Sequence, residues 1–284
     1  MSDSIKFNKV LIANRGEIAL RVLRTCKELG IKTVAVHSTA DRDLLHVRLA
    51  DESVCIGPPQ AAQSYLNIPS IIAAAEITNA QAIHPGYGFL SENTDFAKKC
   101  AESGIKFIGP TPEVIHRMGS KIESRRVMEQ AGVPVVPGTT DPVTTVEEVK
   151  ALGEKYGYPI AIKASAGGGG RGLRVVRKAE DVEQALAGAQ REGASYFGSG
   201  EVYVEKYLDR PRHIEVQILA DEHGKIVHLF ERDCSSQRRH QKLLEETPAP
   251  RLDPQLRARL VEAAVRGATA LGYTSAGTVE CMVS

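Results

Sequence analysis

The stretch KVLIANRGEIALRVLRTCKELGIKTVAVHS, residues 9–38, combines two hydrophobic patterns. The short apolar runs at 9–14 and 32–38 are typical of buried strands. Between these runs, apolar residues recur at helical spacing at Ile18, Val22, Cys26 and Leu29. Gly30 then supplies a helix-ending signal. A strand, a helix and a second strand in succession predict a parallel βαβ unit.

The same alternation continues to about residue 110. Further strands are predicted at 52–57, 80–86 and 106–110, with helices at 68–79 and 94–104. The pattern predicts an α/β fold with an N-terminal, doubly wound parallel sheet. Ligands bind such sheets at the carboxyl ends of the strands, where the loops ANRGE (13–17) and HPGYGFLSEN (84–93) fall. Because ANRGE lacks the glycine pattern G-x-G-x-x-G, a nicotinamide-dependent dehydrogenase is disfavoured.

Composition narrows the class of protein without identifying it. The 284 residues are enough for about two domains, and 42% hydrophobic residues are typical of a globular protein. A net charge of +1 gives no argument for binding nucleic acid or an anionic membrane. The five scattered cysteines form no CxxC pair, and no apolar run approaches the ~20 residues of a membrane span. We therefore expect a cytoplasmic protein with reduced thiols and no metal finger.

The second half of the chain changes pattern after a proline-rich hinge at 133–142. A small α+β unit follows, in which two strand-like segments flank the glycine run of KASAGGGGRG (163–172). We predict four segments along the chain. They are an α/β domain (1–115), a helical connector (116–133), a lid (134–204) and the start of a further domain (205–284).

Two lysines and the glycine run are candidates for binding an anion. The glycines at 167–170 have no Cβ, so their N–H groups can approach phosphate closely, although the run alone favours a flexible hairpin tip. Lys163 lies on an otherwise apolar strand, where an ammonium is costly to bury unless it meets an anion. Lys121 follows a predicted helix cap at Ser120, where the helix N-terminus favours anions. On its own, a lysine at this position is more often a solvated surface residue.

The strand pattern HIEVQIL (213–219) alternates polar and apolar side chains. It directs His213, Glu215 and Gln217 to one face of a sheet, which is either the wet face or the floor of a cleft. Both alternatives remain open from the sequence.

Two further candidates lie nearer the C-terminus. The charged segment ERDCSSQRRHQKLLEE (231–246) is interpreted as a loop that offers Gln237, His240 and Lys242 to a small anion. Glu280 lies within the strand pattern TVEC, where a carboxylate is disfavoured unless it is paired or binds metal. A partly exposed strand glutamate is the alternative for Glu280.

Six segments, taken together and in order, are specific to one family. They are IANRGEIALRV, HPGYGFLSEN, KASAGGGGRG, EKYL, PRHIEVQ and ERDCSSQRRHQK. This set resembles the biotin carboxylase subunit or domain of biotin-dependent carboxylases, a branch of the ATP-grasp superfamily. The resemblance implies an N-terminal pre-ATP-grasp domain followed by an incomplete ATP-grasp fold with a small α+β lid. It also implies an ATP-dependent ligase that makes carboxyphosphate from bicarbonate and carboxylates biotin on a carrier protein.

The resemblance assigns roles to individual residues around the nucleotide. Those contacting the ATP phosphates or closing over them as a lid are Lys121, Lys163, Gly169 and Gly170. Those forming the adenine hinge are Glu205, Lys206, Tyr207 and Leu208. Those lining the nucleotide site are His213, Gln237 and His240.

The other implied roles concern bicarbonate, metal, biotin and assembly. Lys242 is the catalytic residue that holds bicarbonate, and Glu280 binds magnesium or manganese. Tyr87 lies near the biotin pocket. The dimer surface is on the first helix, at Arg21, Arg24 and Glu28.

The implied partners are biotin carboxyl carrier protein, carboxyltransferase subunits or domains, and a second copy of the chain. The parent system is acetyl-CoA carboxylase, which serves fatty acid synthesis, or a related carboxylase. Because relatives continue well beyond Glu280, we expect a piece of a longer enzyme that binds nucleotide weakly, dimerises weakly and does not carboxylate biotin alone. The alternatives are another ATP-grasp ligase, such as a carbamoyl-phosphate synthase or a purine-pathway carboxylating enzyme, and a non-catalytic nucleotide-binding module.

Overall fold

The computed structural model describes residues 7–119, 121–164, 173–197, 200–238 and 241–284. Its contacts divide the chain into two compact units. The N-terminal unit comprises Met1–Ser120, Asp221–His223 and Gly272–Ala276, and the second unit comprises Lys121–Ala220, Gly224–Leu271 and Gly277–Ser284. The finer division into four segments stays a prediction.

The N-terminal unit is built on one parallel sheet. Its strands are β1 (Lys9–Ile12), β2 (Lys32–Ser38), β3 (Glu52–Gly57), β4 (Ala82–His84) and β5 (Lys106–Phe107). Its helices are α1 (Gly16–Glu28), α2 (Leu45–Leu49), α3 (Ile68–Ile77), α4 (Thr94–Glu102) and α5 (Pro112–Gly119). The strand order is β3-β2-β1-β4-β5, with every neighbouring pair parallel. The predicted α/β fold with a doubly wound parallel sheet is confirmed.

Helix α1 buries a slightly different stripe from the one predicted. Ala19, Leu23 and Cys26 are buried, whereas Leu29 is 54% exposed. Leu29 is the residue that caps the helix at its C-terminus, so it lies beyond the last turn that packs on the sheet. Leu29 thus shares the helical spacing of Cys26 but not its burial.

The core of the N-terminal unit lies between the sheet and its helices. Leu11, Val34 and Ile83 from neighbouring strands are completely buried. The rings of Phe96 and Phe107 pack edge to face, with centroids 5.9 Å apart. Strands that are covered on both faces read as continuous apolar runs, which is why the sequence pattern identified them.

The second unit contains two sheets. Its helices are α6 (Lys121–Gln130), α7 (Val146–Tyr156), α8 (Val182–Phe197) and α9 (Pro254–Leu271). Its strands are β6 (Ile160–Ala164), β7 (Leu173–Val176), β8 (Val202–Lys206), β9 (Arg212–Ala220), β10 (Ile226–Arg238), β11 (Gln241–Glu246) and, from Gly277 onward, β12 (Ser275–Val283). The strand orders are β7-β6-β8 and β11-β10-β9-β12. None of the described helices is both long and apolar enough to cross a bilayer.

The smaller sheet carries the strands on either side of the glycine run. Strands β6 and β7 pair antiparallel with Lys163 opposite Leu173, as a hairpin requires. Side chains from α7 and α8 pack against this sheet around the buried residues Ile160 and Val204. The glycine run itself lies outside the described residues.

The segment 231–246 is not a loop. Its described residues lie in β10 and β11, which pair antiparallel with Gln237 opposite Lys242. Every residue of β11 is exposed, and β11 is the edge strand of its sheet. Charged side chains are common on exposed edge strands because they discourage pairing with other chains. High charge density therefore misled the sequence-based interpretation.

Replacing Ile83 with alanine tests the packing of β4, an interior strand of the parallel sheet. Ile83 is fully buried, whereas Ile77 at the end of α3 is 71% exposed. We expect Ile83→Ala to lower the free energy of unfolding by about 2–5 kcal/mol, because it removes buried methyl groups and leaves a cavity. The matched control Ile77→Ala is expected to change it by less than about 0.5 kcal/mol. Urea unfolding followed by circular dichroism measures both, and equal losses would contradict this packing.

Candidate functional site

A buried carboxylate on β9 is the centre of a charged cluster in the second unit. The Glu215 side chain is only 5% exposed. Arg232 donates from Nε to Glu215 Oε1 at 2.7 Å and also from Nη2 to the same oxygen, and Lys242 donates to Oε2. Because Ile214 and Val216 are also buried, both faces of β9 are covered here. Of the two alternatives left open by the sequence, Glu215 is therefore not on a wet sheet face.

Lys242 bridges two carboxylates that come from different strands. Its ammonium contacts Glu215 of β9 and lies 2.7 Å from Oε1 of Glu280 on β12. Glu280 is 65% exposed, so one end of the bridge is buried and the other faces solvent. A cation held in this way is fixed in position and stays accessible to a small anion.

The electrostatics of the cluster hold its groups in defined charge states. Burial alone raises the pKa of Glu215, but hydrogen bonds from Lys242 and Arg232 outweigh it and keep that pKa below its usual value. Burial alone lowers the pKa of Lys242, and its bonds to Glu215 and Glu280 reverse the effect and raise it. Burial and the neighbouring carboxylates raise the pKa of Cys234 to about 11. At neutral pH, Glu215 and Lys242 are thus charged and Cys234 is a thiol.

The cluster lines a small cavity in the second unit. Its lining residues are His213, Ile214, Glu215, Cys234, Lys242 and Glu280. The structure thereby brings together the predicted site residues His213, Lys242 and Glu280. Gln237 lies on β10, where its Nε2 donates to the carbonyl oxygen of Cys234 at 2.9 Å. The predicted residue His240 lies outside the described residues.

Glu280 is suited to act as one ligand of a divalent cation. Mg²⁺ is usually held by one or two carboxylates together with phosphate oxygens and water. Glu280 is exposed, and one of its two oxygens contacts Lys242. A different group, Glu215, Cys234 and Glu245, has potential ligand atoms within 4.8 Å of one another. That group fits Mg²⁺ poorly, because it includes a protonated thiol and a carboxylate already paired with two cations.

A second group of predicted residues lies on the smaller sheet. Lys163 of β6 forms an ion pair with Oε1 of Glu205 on the neighbouring strand β8. Nη2 of Arg125 lies 3.8 Å from the other oxygen of Glu205. The anion that Lys163 meets on its apolar strand is thus a side chain of the same unit. Two cations facing one carboxylate leave a local excess of positive charge.

The segment EKYL is held by backbone hydrogen bonds. Lys206 N donates to Pro137 O at 2.7 Å, and Tyr207 N donates to Pro159 O at 3.1 Å. The Lys206 ammonium donates to the carbonyl oxygen of Gly157 at 2.8 Å. Leu208 follows the end of β8 and is half-buried. These bonds fix the path of the chain where an adenine hinge is predicted.

The remaining predicted residues are distributed over both units. Gly169 and Gly170 lie outside the described residues, and Lys121 begins α6 with a side chain that is also outside them. In the N-terminal unit, Tyr87 is 69% exposed in the loop after β4. The side chains predicted for the dimer surface are all exposed on α1: Arg21, Arg24 and Glu28.

Sequence reasoning missed Arg232, Cys234 and Arg125 as members of these clusters. The alternation of HIEVQIL correctly grouped Glu215 with His213, but it did not indicate the partner of Glu215. The turn at DEHGK predicts a hairpin of β9 and β10, so the general neighbourhood of Arg232 was accessible from the sequence. Nothing local indicated the pairing of Arg125 with Glu205.

Comparison with known proteins identifies the family. The profile of the family described as "Biotin carboxylase, N-terminal domain" matches residues 6–115, and that of "Carbamoyl-phosphate synthase L chain, ATP binding domain" matches residues 120–284. A biotin carboxylase of Nostoc sp. is 58% identical over 279 residues, covering 98% of this chain and 62% of that protein. A biotin carboxylase of Haemophilus influenzae is 58% identical, covering 96% and 61%.

The chain belongs to the biotin carboxylase family. The crystal structure of a Campylobacter jejuni biotin carboxylase, described as a β-γ-ATP complex, superimposes with a TM-score of 0.91 at 53% identity. The superposition covers 100% of this chain and 64% of the Campylobacter jejuni chain. The biotin carboxylase domain of a Hydrogenobacter thermophilus 2-oxoglutarate carboxylase gives a TM-score of 0.88 at 48% identity, covering 98% and 61%. The chain therefore spans roughly three fifths of the length of these relatives.

Neutralising Glu215 tests the charged cluster of the second unit. We expect Glu215→Gln to lower the free energy of unfolding by about 3–5 kcal/mol, because it leaves Lys242 and Arg232 without their buried carboxylate. The matched control Glu280→Gln also removes a partner of Lys242, but at an exposed position, and is expected to cost less than about 1 kcal/mol. Urea unfolding at neutral pH compares them.

A comparison of wild type with Glu215→Gln at different pH values tests the sign of the pKa shift of Glu215. The folded-state pKa of Glu215 is lowered, so its contribution is present above the unfolded carboxyl pKa of about 4.3 and is lost as pH falls through the folded value. We expect the stability difference between wild type and Glu215→Gln to narrow below about pH 4. A difference that widened with acid would show that Glu215 is not held ionised.

Proposed function

We propose that these 284 residues carry the nucleotide- and bicarbonate-binding part of a biotin carboxylase. The proposed reaction is an ATP-dependent ligation, in which bicarbonate is activated as carboxyphosphate and the carboxyl group is passed to biotin on a carrier protein. The observation that carries this proposal is Lys242, fixed between buried Glu215 and exposed Glu280. The match to relatives named biotin carboxylase over nearly the whole chain supports it.

Lys242 is the proposed catalytic residue. Its raised pKa keeps it an ammonium at neutral pH, so it attracts bicarbonate rather than removing a proton from it. Glu215 and Arg232 hold this charge in place before the substrate arrives, which is the main requirement for electrostatic stabilisation of a developing anion. His213 and Gln237 line the same region of the nucleotide site, and His240 is proposed to join them.

Glu280 is the proposed ligand for magnesium or manganese. When bound, the metal ion supplies positive charge that neutralises the phosphates of ATP. The exposed carboxylate of Glu280 would hold this ion, and its Oε1 lies 2.7 Å from the Lys242 ammonium. Glu280 would thereby link the metal and the bicarbonate site. The Hydrogenobacter relative is described as binding MgADP and bicarbonate, which supports this arrangement.

Lys163 is proposed to contact the phosphates of ATP. It is now paired with Glu205, and Arg125 also faces that carboxylate. A polyphosphate carries more negative charge than one carboxylate, so it can compete for the ammonium. Lys121 is proposed to act beside Lys163, with Gly169 and Gly170 closing over the phosphates as a lid. The adenine hinge is proposed at Glu205, Lys206, Tyr207 and Leu208.

The proposed partners follow from the family. Tyr87 is assigned to the pocket for biotin carried on biotin carboxyl carrier protein, and the exposed face of α1 with Arg21, Arg24 and Glu28 to a homodimer. The Hydrogenobacter relative is described as a dimer, which supports that assignment. Carboxyltransferase subunits or domains of acetyl-CoA carboxylase, in fatty acid synthesis, or of a related carboxylase would use the product. We propose that the protein acts in the cytoplasm.

Titration with a non-hydrolysable ATP analogue and Mg²⁺ tests the nucleotide site. We expect Lys163→Ala to weaken binding by about 10- to 100-fold, because it removes a charge-assisted contact to phosphate. The matched control is Lys178→Ala, which removes an exposed lysine that is also paired with a glutamate, Glu180. Calorimetry is expected to show unchanged affinity for the control. Equal affinity of Lys163→Ala and Lys178→Ala for the ATP analogue would show that Lys163 does not contact the nucleotide.

Bicarbonate-dependent ATP hydrolysis, with and without free biotin, tests the reaction. The chain corresponds to roughly three fifths of the length of its relatives, so we propose that it binds nucleotide weakly and does not complete biotin carboxylation by itself. The expected result is no biotin-stimulated release of phosphate above the Lys242→Ala variant. Robust turnover that is lost in Lys242→Ala would contradict this proposal and support the role of Lys242 directly.

A further inference from the structure

Two loops meet at the carboxyl ends of β1 and β4, which are neighbours at the centre of the parallel sheet. The buried Asn14 lies in the first loop and reaches across to the second. Its Nδ2 donates to Pro85 O at 2.8 Å and to Tyr87 O at 2.9 Å, while its Oδ1 accepts from Arg15 N at 2.9 Å. The Asn14 side chain thus joins the two loops through two donated hydrogen bonds, and it accepts a third within its own loop.

The second loop has a conformation that few sequences adopt unaided. Gly86 has a φ of +64°, Gly88 a φ of +69° and Phe89 a φ of +42°. A Cβ on Gly86 would lie 2.6 Å from Nδ2 of Asn14, so the missing side chain is what permits the close approach. A loop with strained residues persists only when its surroundings determine it strongly.

The loop is also held by a second contact, at Phe89. The Phe89 ring stacks on Tyr65, with centroids 5.0 Å apart, and the Tyr65 hydroxyl donates to Asp41 at 2.7 Å. Asp41 also accepts from Arg15, which follows Asn14 in the chain. Between these two anchors, the side chain of Tyr87 stands exposed. The contacts fix the backbone around Tyr87 and leave its ring available.

We propose that Asn14 is a positioning residue that sets the 85–89 loop and thereby the Tyr87 ring for the substrate. The substrate part of this inference rests on the proposed function, which assigns Tyr87 to the biotin pocket. A primary amide is the side chain that donates twice and accepts once in this geometry. Aspartate has the same shape but cannot donate when ionised, and its charge would face two carbonyl oxygens.

The test compares Asn14→Asp with Asn67→Asp in the full chain. Asn67 caps α3 and uses only its oxygen, which accepts from Ser70 N, so aspartate keeps that bond. Hydrogen exchange measured by mass spectrometry is expected to be roughly tenfold faster at 85–89 in Asn14→Asp and unchanged there in Asn67→Asp, because only the former loses two hydrogen bonds to the loop. Native exchange at 85–89 in a folded Asn14→Asp protein would overturn the proposal.

A second pair of variants approaches the same contact from the loop. Gly86→Ala places a Cβ against Asn14, whereas Gly88→Ala has a similar φ but open space around its Cβ. We expect hydrogen exchange at 85–89 to be faster in Gly86→Ala than in Gly88→Ala, because only Gly86→Ala disturbs the contact with Asn14. Equal effects would show that backbone strain, and not Asn14, determines the loop. This pair decides the question if Asn14→Asp does not fold.

A spectroscopic readout separates positioning from general stability. The chain is labelled with 3-fluorotyrosine, the Tyr87 resonance is assigned with Tyr87→Phe, and free biotin is titrated. In Asn14→Asp we expect a displaced Tyr87 resonance and roughly tenfold weaker response to biotin, with unchanged affinity for the ATP analogue. Equal losses for biotin and nucleotide would overturn the positioning role. A wild-type Tyr87 resonance that ignores biotin would refute the biotin pocket, while the exchange data would still decide whether Asn14 sets the loop.

Discussion

The second unit depends on the burial of one charge, the Glu215 carboxylate. An isolated carboxylate is very costly to remove from water, so Glu215 requires cations and hydrogen bonds around it. Arg232 supplies them from the neighbouring strand β10 and Lys242 from β11, the strand beyond it, and Lys242 extends the cluster to Glu280 on β12. One buried carboxylate thereby ties together all four strands of the sheet and fixes the cation that the proposed reaction uses.

A bulge in β10 makes this arrangement possible. Counted from the pair Ala220–Ile226, a regular hairpin would place Glu231 opposite Glu215, with two carboxylates facing each other. The register shifts between His228 and Glu231, so Arg232 is opposite Glu215 instead. The extra residue of a bulge moves every later side chain by one position. Glu231 then pairs with a different cation, Arg257 at 2.8 Å.

In the N-terminal unit, buried polar groups hold a side chain at the carboxyl ends of the parallel strands. Its parallel strands bring the loops after β1 and β4 together, and Asn14 joins those loops with hydrogen bonds. The pKa of Asp41 is held well below its usual range by the Arg15 guanidinium, so the supporting network stays charged at neutral pH. In both units, buried polar groups position one exposed or half-exposed side chain, Tyr87 or Lys242.

The alternation of strands and helices in residues 9–110 and the family were predictable from the sequence, because hydrophobic periods and ordered motifs are local properties of the chain. The sequence also predicted the hairpin around Lys163 and the grouping of His213 with Glu215. The exposure of Leu29, the strands formed by the described residues of 231–246 and the pairing of Glu205 with Lys163 emerged from the three-dimensional structure alone. These features depend on strand register and on burial by residues far away in the chain, and a local pattern contains neither.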